Sequence, residues 1–151
     1  MSLRAFFFSF RGRISRQEWW LGLLFLLSIS IPAGAWLGSE AFDPTTGKIR
    51  PPSLAYTVWS VLVSVPSAAL SAKRFNDRDW PSWLGYLLGG CFVVLALANH
   101  FGYLLDPRTM ALPEKTIFAA ILLFFLWALV DNGFLKGTEG PNRHGPDPLH
   151  A

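Results

Sequence analysis

Cysteine is nearly absent from this chain, and charge is scarce. The single thiol, Cys91, lies inside an apolar run of a 151-residue sequence. One thiol makes neither an internal disulfide nor a cysteine-based zinc site. Charged residues are 15% of the chain, against about 25% in soluble domains. Whole stretches lack charge: residues 19–37 contain none, and neither do residues 54–72. The sequence also lacks G-x-S-x-G, H-E-x-x-H and P-loop patterns, so the signatures of a serine hydrolase, a zinc protease and a phosphate-cradling loop are missing. No ionisable residue falls near the middle of an apolar run, where an ion-coupled carrier places its coupling group.

What is present is mostly apolar. Hydrophobic residues make up 52%, and the mean hydropathy is +0.35. A charge-free run of 19 residues, such as 19–37, rises roughly 28 Å as a helix, enough to cross a hydrocarbon core. Trp19, Trp20 and Trp36 stand near the ends of that run, where indoles favour the membrane interface. The pattern predicts an all-α membrane protein: four transmembrane helices, at about 17–38, 54–72, 82–105 and 115–135, in an antiparallel bundle. A basic and aromatic arm, residues 1–14, precedes this domain of residues 15–136, and a Gly/Pro-rich tail, residues 137–151, follows it. The rings of Phe6, Phe7, Phe8 and Phe10, alternating with Arg4, Arg11 and Arg13, suit a lipid boundary.

Local chemistry marks several helix ends. Ser15-Arg16-Gln17-Glu18 reads as a capping box, with Ile14 and Trp19 at the hydrophobic-staple positions. Ser53 is placed to cap the second span, and Asp79 or Trp80 the third, with Pro81 in its first turn. Span two carries Ser60, Ser64, Ser67, Ala68, Ser71 and Ala72, and span three carries Gly85-x-x-x-Gly89. Small residues at this spacing let helices approach closely in lipid. His100 falls near the far end of span three and reads as an interfacial or satisfied residue.

Four spans put both termini on one side. That side holds Arg4, Arg11, Arg13, Arg16, Lys73, Arg74, Arg78, Lys136 and Arg143, against Lys48, Arg50, Arg108 and Lys115 opposite. The positive-inside rule predicts that both termini and the stretch 73–81 are cytoplasmic. The rule accounts for the cations but not for the amides, carboxylates and imidazole among them. We therefore assign a cytoplasmic polar cap of Arg11, Arg13, Arg16, Arg74, Asn76, Asp77, Arg78, Asp131, Asn142 and His144. Local pairing offers a structural account: Asp77 with Lys73 or Arg74, and Asp131 with a cation from another segment. The functional account is a structural or docking component whose cap binds a protein partner or an anionic lipid headgroup. Two alternatives stay open at this stage: a small transport component, and an enzyme handling a phosphorylated headgroup through Asp77 and Asp79. No catalytic, metal or cofactor-binding residue is assigned. The expected partners are the bilayer with its anionic headgroups and a protein or second copy of the chain, with no nucleic acid.

Three motifs carry a resemblance. F-x-F-R-G-R-I-S-R-Q-E-W-W at 8–20, A-K-R-F-N-D-R-D-W-P-S-W at 72–83 and G-T-E-G-P-N-R-H-G-P-D-P at 137–148 are similar, in that order, to the bacterial inner-membrane family known as domain of unknown function 805. Asn76 stands where a His is common in that family, which weakens any metal role there. The resemblance implies a multi-pass inner-membrane protein and supplies no activity. By position it highlights Gly12, Ser15, Glu18, Trp19, Trp83, Gly140, Gly145 and Pro148 beside cap residues already named.

Overall fold

The computed structural model describes residues 2–38, 45, 49–103 and 110–149. They form a short helix α1 (Leu3–Phe8) and four long ones: α2 (Arg16–Leu37), α3 (Leu54–Asp77), α4 (Trp83–His100) and α5 (Leu112–Gly133). The described residues contain no strand, and the four long helices are each long and apolar enough to cross a membrane. Lys48 and Arg108, counted above for orientation, lie outside the described residues.

The start of α2 is fixed by its sequence. Ser15 Oγ accepts from Glu18 N at 3.3 Å and Glu18 Oε2 accepts from Ser15 N at 2.8 Å, closing the capping box. Ile14 and Trp19 on either side are buried with Leu70 of α3. Ser53 caps α3 by accepting from Tyr56 N at 3.2 Å.

The bundle is centred on α3. Every residue from 68 to 77 is buried, charged ones included. Small side chains allow this. A Cβ added at Gly89 would stand 2.7 Å from Ala68 Cβ, and one at Gly85 would overlap Ala72 Cβ. The two glycines of α4 therefore lie directly on the two alanines of α3, the close approach their spacing predicts. On the other side Leu70 fills a notch at Gly22 of α2, where an added Cβ would stand 2.8 Å from Leu70 Cδ1. Phe75 packs with Leu84 and Leu88 of α4 and Ala128 of α5, and stacks on Trp127 with centroids 5.6 Å apart.

Several helix boundaries differ from the sequence expectation; α4 ends at His100 rather than near 105, and residues 104–105 of that expected span lie outside the described residues. Residues 73–77 read as loop because they are polar, but they complete the last turn of α3. Chain reversal takes Arg78 to Pro81, with Asp79 in the left-handed region at φ 59°. Ser82, rather than Asp79 or Trp80, flanks the start of α4, and Pro81 precedes the helix.

At the far end of the bundle His100 ties α4 to α3. Its Nδ1 lies 3.1 Å from both Pro52 O and Thr57 Oγ1. Thr57 is itself buried and donates to Ser53 O at 3.1 Å.

Candidate functional site

The last turn of α3 meets the start of α2, the start of α4, the end of α5, the arm and the tail. Its four polar side chains between them hold all of these segments except the start of α2. Lys73 is fully buried, and its Nζ donates to Ala5 O at 3.1 Å, to Ser9 O at 2.9 Å and to Phe6 O. These are carbonyls at and just past the end of α1, where Ala5 O also accepts from the capping Ser9 N at 3.1 Å. The ammonium also lies 5.5 Å from the Phe6 ring centroid.

Arg74 reaches α5. Its Nε donates to Asn132 O at 2.8 Å, and its other nitrogens donate to Leu135 O and to Asp77 Oδ2. Asn76 reaches the arm and α4. Its Nδ2 donates to Gly12 O at 3.0 Å and Phe10 O at 3.3 Å, while its Oδ1 accepts from Ser82 Oγ at 2.7 Å.

Asp77 collects the arm and the tail. Its Oδ1 accepts from Arg13 Nε at 2.9 Å, and its backbone O accepts from Thr138 N at 2.8 Å and Thr138 Oγ1 at 2.9 Å. Arg13 continues into the tail, donating to Gly140 O and Thr138 O at 2.7 Å and to Gly145 O at 3.2 Å. Gly137 passes so near that an added Cβ would overlap the Asp77 carboxylate. Asn142 closes the tail on α3: its Nδ2 donates to Asn76 O and to Thr138 Oγ1, both at 2.9 Å. Asn142 and Gly145 exchange backbone hydrogen bonds, with Gly145 at φ 131°.

Among the described residues the buried ionic side chains are Arg13, Lys73, Arg74, Asp77, Asp131 and Asp147. Three cations match three carboxylates, so the buried ionic residues carry no net formal charge, although Asp131 is paired with the partly exposed Arg78. Such compensation is what lets ions leave water.

Of the ten residues assigned to the cap, the structure gathers Arg13, Arg74, Asn76, Asp77 and Asn142 into this one network. Arg78 and Asp131 form a neighbouring pair at 3.2 Å, with Arg78 also donating to Lys136 O. Arg11 and Arg16 are exposed at its edge. His144 accepts from Arg143 at 3.1 Å, and Arg143 pairs with Asp79 at 3.0 Å. Asp77 and Asp79 therefore face different partners, one buried and one exposed. No group of three or more metal-ligating side chains converges among the described residues. Sequence reasoning missed Lys73, Thr138, Gly137 and Asn132 as members. Lys73 could have been found by continuing the helical phase of Ala69 and Ala72 past the end of the apolar run.

A cleft of about 370 Å³ lies beside the network, between the start of α2 and the tail. Arg16, Arg74, Lys136, Asp77, Glu139 and Asp147 are among its walls. Arg16 and Lys136 are exposed, as is Glu139.

Comparison with known proteins bears on the whole chain. The profile of a family described as "Protein of unknown function (DUF805)" matches residues 7–146. The chain is 26% identical to "Uncharacterized protein YiiR" of Escherichia coli (strain K12), over 97% of this chain and 90% of that protein. It is 25% identical to "Inner membrane protein YhaH" of the same organism, over 92% of this chain and 86% of that protein. No solved structure matches the chain.

Proposed function

From the premise that this chain belongs to the DUF805 family of proteins of unknown function, we propose that it is a docking component of the bacterial inner membrane whose cytoplasmic polar cap binds anionic lipid headgroups. The inner-membrane location is supported by the similarity to the inner membrane protein YhaH and by the four membrane-capable helices. The cytoplasmic orientation follows the excess of Lys and Arg at the end bearing both termini.

One observation carries the reading: the buried cations and carboxylates match in number, while Arg16 and Lys136 are exposed at the cleft beside a single exposed carboxylate, Glu139. Arg13 and Arg74 are occupied by Asp77 and by backbone carbonyls. Arg11, Arg16 and Lys136 remain at the surface, and Asp79 is paired with Arg143. Each exposed cation near an anionic surface contributes about 1 kcal/mol. The network beneath holds arm, helix ends and tail in one arrangement, so headgroup binding orders little new structure. A phosphoryl-handling site built jointly on Asp77 and Asp79 does not fit this geometry, because the two carboxylates are separated by their partners.

The test is lipid retention by the purified protein, read by native mass spectrometry from mixed phosphatidylglycerol and phosphatidylcholine. The expected result is preferential retention of phosphatidylglycerol, lost in the Arg16→Gln, Lys136→Gln double variant. Equal retention of both lipids, or an unchanged preference in the variant, would overturn the reading.

A further inference from the structure

Asn132, one residue before the end of α5, is fully buried. Its backbone O accepts from Arg74, but its side-chain Oδ1 and Nδ2 have no hydrogen-bond partner. A buried amide in that state is costly, since neither its donors nor its acceptor recover what they lose in leaving water. The amide lines a second cavity, of about 170 Å³, where the four long helices converge. Trp19, Ser71, Phe92, Phe125 and Leu129 are among its walls. Phe92 and Phe125 stack with centroids 4.6 Å apart. Phe92 and Leu129 are exposed on the outer surface of the bundle, so the cavity is reached from the lipid side.

Size, wall chemistry and the unpaired amide select an occupant. The volume is close to that of the engineered cavity of about 150 Å³ that holds benzene. The aromatic walls favour a ring. A hydroxyl both donates and accepts, so one hydroxyl serves Asn132 Oδ1 and Nδ2 together. A carbonyl serves only the donor side. We propose that this cavity binds a membrane-dissolved hydroxylated ring, a phenol by chemical class, with its hydroxyl on the Asn132 amide and its ring among Trp19, Phe92 and Phe125. A compact cavity of this volume suits a ring better than a long acyl chain. The proposal is independent of headgroup binding at the cap.

The test uses the full chain in phosphatidylcholine nanodiscs, with para-ethylphenol as probe and para-ethylanisole as its hydroxyl-free counterpart. Binding is read by ligand-observed NMR and by the melting temperature. The expected result is saturable binding of the phenol, with the anisole about tenfold weaker. Asn132→Leu, which breaks no side-chain hydrogen bond, should abolish that preference. Ala128→Phe, which fills the cavity, should abolish binding of both probes. Should Ala128→Phe fail to fold, Asn132→Leu alone decides. Absence of saturable phenol binding would overturn the proposal, as would equal binding of the two probes or an unchanged preference in Asn132→Leu. A tightly held diacyl lipid that the phenol does not displace would assign the cavity to lipid and overturn it equally.

Discussion

Arg13 Nε donates to Asp77 Oδ1 at 2.9 Å, joining positions 64 residues apart. Both side chains are almost entirely out of solvent, with side-chain exposures of 1% and 4%. Asp77 Oδ2 takes Arg74 at the same time. The carboxylate is thus the common counter-ion of an arm residue and a helix residue. The tail lies against it through Gly137 and Thr138. Removing it should leave two buried guanidinium groups without their counter-ion, which is more damaging than losing an ordinary surface ion pair.

Gly137 gives a steric check on this arrangement. Gly137→Ala should destabilise the protein by about 3 kcal/mol, because the new methyl meets the Asp77 carboxylate rather than a flexible side-chain end. Gly90, by contrast, faces open space. Gly90→Ala should be neutral or stabilising by up to about 1 kcal/mol through helix propensity. Unfolding of both variants in mixed detergent micelles reads the difference.

Lys73 predicts a local effect. Its ammonium holds the carbonyls at the end of α1, so Lys73→Met should release that helix and leave the spans packed. Hydrogen exchange at residues 3–8 should speed up by about tenfold or more, as expected for an opened local unit. Exchange within α3 and α4 should change far less.

The sharing of Asp77 also predicts the result of a charge swap. Exchanging Arg74 and Asp77 keeps one pair but places a new cation beside Arg13. The swapped protein should be no more stable than Asp77→Asn, and within about 1 kcal/mol of it. Adding Arg13→Gln to the swap should recover stability, because it removes the facing charge. Thermal melting of the three variants checks the order.

The sequence was informative wherever the governing interaction is local. The Ser15 and Glu18 capping box and the Gly85 and Gly89 packing face depend on neighbours within one or two helical turns, and both are found as read. The end of α3 was misread for the opposite reason. Lys73, Arg74, Asn76 and Asp77 are poor company for an apolar span, and apart from the Arg74–Asp77 pair nothing within a few residues compensates them. Their partners are the carbonyls of residues 5, 6, 9, 10 and 12, the end of α5 and the tail. Composition does not reveal such pairings. The same limit hid Thr138, whose role is to accept from Arg13 and Asn142 and to donate to Asp77 O. It also hid Asn132, whose burial comes from convergence of four helices.

The central claim is that Arg13 and Asp77 lock the arm and tail onto the end of α3. A double-mutant cycle with Arg13→Gln, Asp77→Asn and the combined variant, read as unfolding free energy in one detergent system, tests it most directly. The lock predicts a coupling energy of about 2 kcal/mol or more, in the range of contacting network residues. Additive single effects, agreeing within about 0.5 kcal/mol as for independent sites, would contradict it.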